Sequence, residues 1–302
     1  MIDNTPQYHE ARWRNAVADS SLKRQHRKDR DPMQRWNKMA GDFAQRTSDK
    51  ENDDKRRQTL GWLQELGALK PGISILDIGA GPGNWALPFA RYGANVTALE
   101  PSSAMIEILK KRAGEKNIDN ITIRQATWQE IDLEAMGWRN SFDLVFASMT
   151  PGIDGPATLD KMTAACRPET GFCYLSAFAG RNWQHWYGEL WQILIGEKLT
   201  GHLNDIIYPF NLIYSKGYRP HLRFDSWNRA IDWPREKAIE DFITHFESYL
   251  EITEEVRNTI NTYVDQNLRN GRFRDTRKGC RGMMVWSLGF RAFALDNDKE
   301  QT

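Results

Sequence analysis

The chain has 302 residues, of which 27% are charged and 40% hydrophobic, and a formal net charge of +1. That length suits one large α/β domain with an extension, or two modest domains, and the composition allows a sizeable core rather than a disordered chain. A near-neutral balance makes no strong demand for nucleic acid, no apolar run approaches the roughly 20 residues of a membrane helix, and the opening MIDNTPQYHEARWRN lacks the apolar stretch of a secretory signal.

Residues 1–31 are polar and basic, with a cationic run from Lys23 to Arg30, and read as helix and loose connector. Asp31-Pro32 then offers a helix start, acid as cap and proline in the first turn, and Trp36, Ala40 and Phe43 follow at helical spacing. Residues 52–68 give a second helix carrying Leu60, Leu63 and Leu66, ended by Gly67 and Pro71-Gly72. From there strands alternate with helices. Residues 73–78, 95–99, 121–124, 142–147 and 171–178 are short apolar or β-branched runs. Residues 84–92, 101–113 and 156–166 are helical between them. This order predicts a parallel, doubly wound sheet. After residue 180 the alternation stops. Residues 182–218 are dense in aromatics and read as two helices, 221–233 as a strand, residues from Ile239 and from Thr253 as two amphipathic helices, and 283–290 as a closing strand. The chain has twelve tryptophans, a high count, suited to core filling or to a pocket wall. Cys166, Cys173 and Cys280 stand far apart in no ligand spacing, so the expectation is no metal site, no disulfide framework and a reducing, cytoplasmic setting.

The chemistry concentrates in Ile75–Gly83, ILDIGAGPG, where a buried strand runs through Gly79-Ala80-Gly81-Pro82-Gly83 into a helix. Glycines there let the backbone approach a ligand above the strand ends. A dinucleotide fingerprint needs a third glycine where Asn84 stands, and no P-loop lysine is present. Glu100 ends the next strand about twenty residues on, where an acid can accept hydrogen bonds from a ribose diol.

The D-x-G-x-G-x-G pattern from Asp77, then Glu100-Pro101-Ser102-Ser103-Ala104-Met105, then Phe142-Asp143-Leu144-Val145, resembles class I (Rossmann-like) S-adenosylmethionine-dependent methyltransferases, over roughly residues 72–178. The resemblance implies S-adenosyl-L-methionine as cofactor. It implies an α/β fold with a doubly wound, mostly parallel seven-stranded sheet. Residues 1–68 would form an N-terminal helical lid and 69–293 the methyltransferase domain, with the aromatic insertion 182–218 after the fifth strand forming part of the substrate pocket. The cofactor-binding residues implied are Trp36 on the lid helix, Asp77, Gly79, Ala80, Gly81, Gly83, Asn84 and Trp85 in the first loop, and Glu100, Pro101, Ser102 and Met105 after the second strand. Ala126, Thr127 and Trp128 follow the third strand, and Ala147, Ser148 and Met149 end the fourth. The family often places an acid after the third strand for the adenine amino group. Thr127 and Trp128 stand there instead, and Trp128 either packs on the adenine or covers the sheet edge. Trp36-Asn37, Ala40 and Phe43 look like the lid helix of the quinone-biosynthesis group and its small-molecule relatives, although packing alone explains them equally.

Ser148-Met149-Thr150-Pro151 departs from the Asn/Asp-Pro-Pro-Tyr/Phe of the adenine and glutamine N-methyltransferases, which points to another acceptor. The reading is a small-molecule methyltransferase working by in-line displacement, with no membrane partner, no nucleic-acid partner, and a monomer or homodimer. An RNA or protein methyltransferase, a non-catalytic cofactor-binding regulator and a nicotinamide oxidoreductase are the rivals. No base is assigned. The candidates are His185, Tyr208 and His221, from a pool that includes Glu189, His202 and Asp205, while Arg181, Arg219 and Arg223 would suit an acidic acceptor.

Overall fold

The computed structural model describes residues 4–26, 31–180, 185–200 and 205–290. Thr5 caps the first helix, α1 (Pro6–Ala18), by accepting a hydrogen bond from the Tyr8 N–H, and a short α2 (Ser21–Gln25) follows. Asp31 caps α3 (Pro32–Arg46) through the Met33 N–H, with proline in the first turn as its sequence suggests. Asp49 caps α4 (Lys50–Glu65). The alternating region then runs β1 (Ser74–Ile78), α5 (Ala86–Arg91), β2 (Asn95–Leu99), α6 (Ser103–Glu115), β3 (Ile121–Arg124), β4 (Leu144–Ser148), α7 (Pro156–Ala165) and β5 (Phe172–Phe178). Two helices, α8 (His185–Ile195) and α9 (Ile207–Ser215), precede β6 (His221–Pro234). The chain closes with α10 (Arg235–Phe246), α11 (Glu254–Gln266), a two-residue β7 (Leu268–Arg269) and β8 (Arg272–Ser287).

The strands form one sheet in the order β3-β2-β1-β4-β5-β8-β6, with β7 paired on β8. β1 to β5 are mutually parallel, and β8 runs antiparallel between β5 and β6. The chain winds outward from β1 to β3, returns, and lays β4 beside β1. That reversal is a topological switch point, where open α/β sheets leave a crevice beyond the strand ends. Ile75, Leu76, Asp77 and Ile78 are all buried, as a parallel strand covered on both faces requires.

Alternation along the strands divides the core. Leu76, Ile78, Val145 and Leu175 face one side, with α7, α9 and Trp13 of α1. Ile75, Phe146 and Tyr174 face the other, with Trp62 and Leu63 of α4 and with α5. A third cluster lies outside the sheet. There Trp186 and Trp191 of α8 pack with Phe242 and Phe246 of α10, Ile260 and Val264 of α11, and Ile231 and Phe273 from the β6–β8 ribbon.

Two features go beyond the sequence reading. β8 begins at Arg272, well before the expected start at 283, because the charged stretch Arg272–Arg281 pairs with β6 as a ribbon past the sheet's end. The aromatic segment also divides, since α8 joins the third cluster while Leu212 and Ile213 of α9 join the first. The N-terminal helices differ in their packing as well: α1 lies on α9, α3 on α6, and α4 on the sheet.

Candidate active site

The glycine loop leaves β1 at the switch point. Gly79 has φ +73°, and a Cβ built on it would lie 2.2 Å from Thr150 Oγ1, just beyond β4. Only glycine lets β1 and β4 deliver their ends this close together. The Gly79 and Ala80 N–H groups both donate to the Leu99 carbonyl, at 2.8 and 3.0 Å, which fastens the loop to the end of β2.

Glu100 stands at that end and is 7% exposed. Its Oε2 accepts the Gly81 N–H at 2.9 Å and its Oε1 accepts the Ser102 N–H at 2.8 Å. Each carboxylate oxygen keeps a free acceptor direction after one such bond. Burial raises the Glu100 pKa, and these two backbone N–H groups oppose the rise. Asp77, 1% exposed on β1, is pushed up to about 8 by burial first and by the Glu100 charge second, while the Ala86 N–H holds it down. Its Oδ2 is buried with no hydrogen-bond partner. A pair of buried acids thus lies beneath the loop.

Helix α3 crosses above. Phe43 reaches within 4.0 Å of where a Gly81 Cβ would stand. Asn37 Oδ1 accepts from Ser102 Oγ at 2.7 Å, and Asn84 Nδ2 donates to Thr47 Oγ1 at 3.0 Å. Arg112 of α6 donates to the Ala44 and Pro82 carbonyls at 3.0 and 3.2 Å, joining α3 to the glycine loop. Trp36 meets the Phe43 ring edge-on at 6.0 Å. Asn37 fell within the predicted lid pattern. Arg112 carried no sequence signal, because its partners are remote in the chain.

Met149 follows β4 in the left-handed region, φ +52°, a conformation L side chains adopt at a cost and often near functional sites. It is 37% exposed, and a narrow cleft beside it is lined by Trp13, Thr150, Ser176, Asp205 and Pro209. Ser148 Oγ lies 3.0 Å from Ser176 Oγ. The buried Tyr174 hydroxyl is close to both serines but makes no hydrogen bond of ordinary length, and burial raises its pKa. Tyr174 and Ser176 escaped the sequence reading because in a buried strand they look like core.

The other expected residues are placed as follows. Trp85 packs on Phe89, Phe146 and Tyr174. Met105 and Ala147 are buried, and Pro101 is half-buried beside Glu100. The Trp128 ring is 2% exposed and its Nε1 donates to the Thr158 carbonyl, so the ring belongs to the core beneath the sheet edge. Thr127 donates from both N and Oγ1 to Glu130 Oε2, and Ala126 is half-buried. Among the base candidates, Tyr208 is half-buried against the first core cluster. His221 is exposed on the edge strand, level with Val285 and Tyr174 and below the strand ends. Glu189 accepts from the Tyr263 hydroxyl at 2.5 Å, and Asp205 accepts the Gly180 and Ile207 N–H groups. The His185 side chain, Arg181, Trp183, His202 and the Arg27–Arg30 part of the basic run lie outside the described residues. Arg24 pairs with Glu197. Among the described residues, no helix is long and apolar enough to cross a membrane.

The sheet order, the switch-point crevice and the glycine loop beside an acid define a doubly wound, Rossmann-like α/β fold. Residues 75–169 match the family model described as a methyltransferase domain. The YcgJ protein of Bacillus subtilis superposes with a TM-score of 0.51 at 15% identity, over 76% of this chain and 97% of that one. A Bacillus halodurans protein assigned as a methyltransferase gives 0.51 at 12% identity, over 76% and 98%. A protein of Haemophilus influenzae is 24% identical over 79% of this chain and 83% of its own length. The ubiquinone/menaquinone biosynthesis C-methyltransferase of Zymomonas mobilis is 41% identical over 24% of this chain, but that match spans only 29% of the relative's length. The chain thus shares the Rossmann-like α/β fold of these neighbours, and its residues 75–169 are similar to a methyltransferase domain.

Proposed function

We propose that this protein transfers the methyl group of S-adenosylmethionine to a small-molecule acceptor by in-line displacement. The observation that carries the reading is the seat of Glu100, a nearly buried carboxylate tied to the glycine loop with an acceptor direction free on each oxygen. That arrangement suits the two hydroxyls of a ribose. The loop from Gly79 to Gly83 offers backbone without side chains to the methionine and ribose portions. The main chain of Ala126–Trp128 borders the adenine end, since the Trp128 ring is used in the core. The free Asp77 oxygen lies beneath the loop.

When bound, the cofactor's sulfonium supplies an electrophilic methyl. This chain's part is to align an acceptor nucleophile with it and exclude water. Ser148 and Met149, at the tip of β4, border the reacting position. The aromatic faces of Trp36 and Phe43 on α3 suit a cationic ligand. Two observations support a small acceptor: α3 lies across the crevice mouth, and Ser148-Met149-Thr150-Pro151 replaces the pattern that holds adenine or glutamine nitrogens. The ubiquinone-biosynthesis C- and O-methyltransferases among its partial relatives point the same way.

Calorimetric titration tests the proposal. S-adenosylmethionine and its demethylated product should bind, and NAD should not. Binding of NAD alone would refute it.

A further inference from the structure

On the sheet face that carries Ser176 and Met283, residues alternate up β8 through Arg281 and Gly279 to Arg277, on the ribbon beyond the strand ends. Arg281 is paired with Asp225 at 3.0 Å. Arg277 is different. It is half-buried, and among the described residues its side chain has no ion pair and no hydrogen bond; its Nε is sealed from solvent. A guanidinium N–H sealed from water without an acceptor is costly to the fold. The charges that act on it are mainly positive, from Arg46 of α3 and Arg229 of β6. The acid that also reaches it, Asp241, is bound to Lys237 at 2.9 Å.

His245 of α10 belongs to the same neighbourhood. Burial, and then the charges of Arg35 and Arg277, keep its imidazole neutral. Arg35 Nη2 lies 3.4 Å from His245 Nδ1. A guanidinium only donates, so Nδ1 is the acceptor and Nε2 carries the proton. That Nε2 is also buried without a partner. The Tyr187 ring stands edge-on to the imidazole at 4.2 Å. Two buried donors, Arg277 Nε–H and His245 Nε2–H, therefore stand unmatched in one cationic neighbourhood, which Arg35 of α3 borders. The same helix covers the glycine loop through Phe43, and the Trp227 ring lies against Gly279 between Arg277 and Arg281.

We propose that the acceptor carries an anionic group, a carboxylate or a phosphate, which Arg277 receives together with His245 Nε2–H and Arg35. This rests on the methyl-transfer reading for its location and on the unmatched donors for its chemistry. Arg277 stands four residues beyond Arg281, roughly 13 Å along the strand, so the anionic group is the end of the acceptor remote from the transferred methyl.

The test titrates sodium benzoate and inorganic phosphate into the full-length protein, each with and without S-adenosylhomocysteine, for wild type and Arg277→Gln. At least one anion should bind the wild type and raise its melting temperature. R277Q should weaken that binding by at least about tenfold, keep its S-adenosylhomocysteine affinity within about twofold, and melt no lower than wild type in anion-free buffer. Preference for benzoate or phosphate identifies the anion's class. Failure of both anions to bind wild type overturns the proposal, as does equal binding to R277Q. A merely structural arginine would instead lower the anion-free melting temperature and leave the anion response unchanged. If R277Q does not fold, Arg35→Gln on the separate helix is read by the same criteria. Loss of S-adenosylhomocysteine binding in the wild type would refute the cofactor reading, while the cofactor-free anion titrations still judge Arg277.

Discussion

Glu100 Oε2 accepts the Gly81 N–H at 2.9 Å, so the acid that ends β2 also holds the glycine loop that leaves β1. One side chain shapes the loop and faces the crevice. The Glu100→Gln substitution separates these roles, since it keeps the volume and removes the charge. A hydrogen bond to a charged group contributes about 1.5–3 kcal/mol, so cofactor affinity should fall about 10- to 100-fold. Calorimetry with S-adenosylhomocysteine measures this, and an unchanged affinity would remove Glu100 from the ribose site.

The acids beneath the loop predict a pH dependence. Asp77 is raised to about 8 in the folded protein, from the 3.8 of a free aspartate. Between those values the native state holds a proton that the unfolded chain has released. Stability from this group is therefore full below the unfolded pKa and is lost as pH rises through about 8. Glu100 shifts in the same direction. Urea unfolding across this range should show stability falling with pH, and Asp77→Asn should flatten the slope. A slope identical in that variant would place the titration elsewhere.

Gly79→Ala should damage the fold more than an ordinary left-handed glycine would. Its new Cβ would sit 2.2 Å from Thr150 Oγ1, whereas Gly72, at φ +82°, has nothing within 4 Å. The conformation alone costs about 1–2 kcal/mol, and the clash adds about 1–3 kcal/mol. Denaturant midpoints of G79A and G72A should differ by the clash alone. Equal losses would mean that β1 and β4 separate freely at their ends.

Arg112→Ala removes the bonds that join α6 and the glycine loop to α3. Backbone amides of α3 should exchange faster, with global stability reduced by only about 1–2 kcal/mol. Cofactor affinity should fall with them. Hydrogen exchange resolved by helix is the measurement, and unaltered protection in α3 would show that the helix is held by its packing alone.

Much of this was legible in the sequence. The run of Ile75–Ile78 and the glycines after it announce a buried strand and its turn, because φ and burial constrain residue choice locally. Asp31-Pro32 and Thr253 mark helix starts for the same reason, since a cap acts within one turn. Glu100 was found by its distance along the chain from the loop. Arg112, Tyr174 and Arg277 were not legible, because what distinguishes each is a partner, or the lack of one, from a remote element.

The alternation of strands and helices, the loop at the end of β1 and the acid at the end of β2 all follow from local backbone and burial patterns, and so can be read along the chain. The crossing of α3 over the loop, the pairing of the charged stretch of β8 as a ribbon beyond the sheet, and the turn of the Trp128 ring into the core emerge only on folding. These depend on contacts between distant segments, and a side chain's period along its own element does not encode which distant surface it meets.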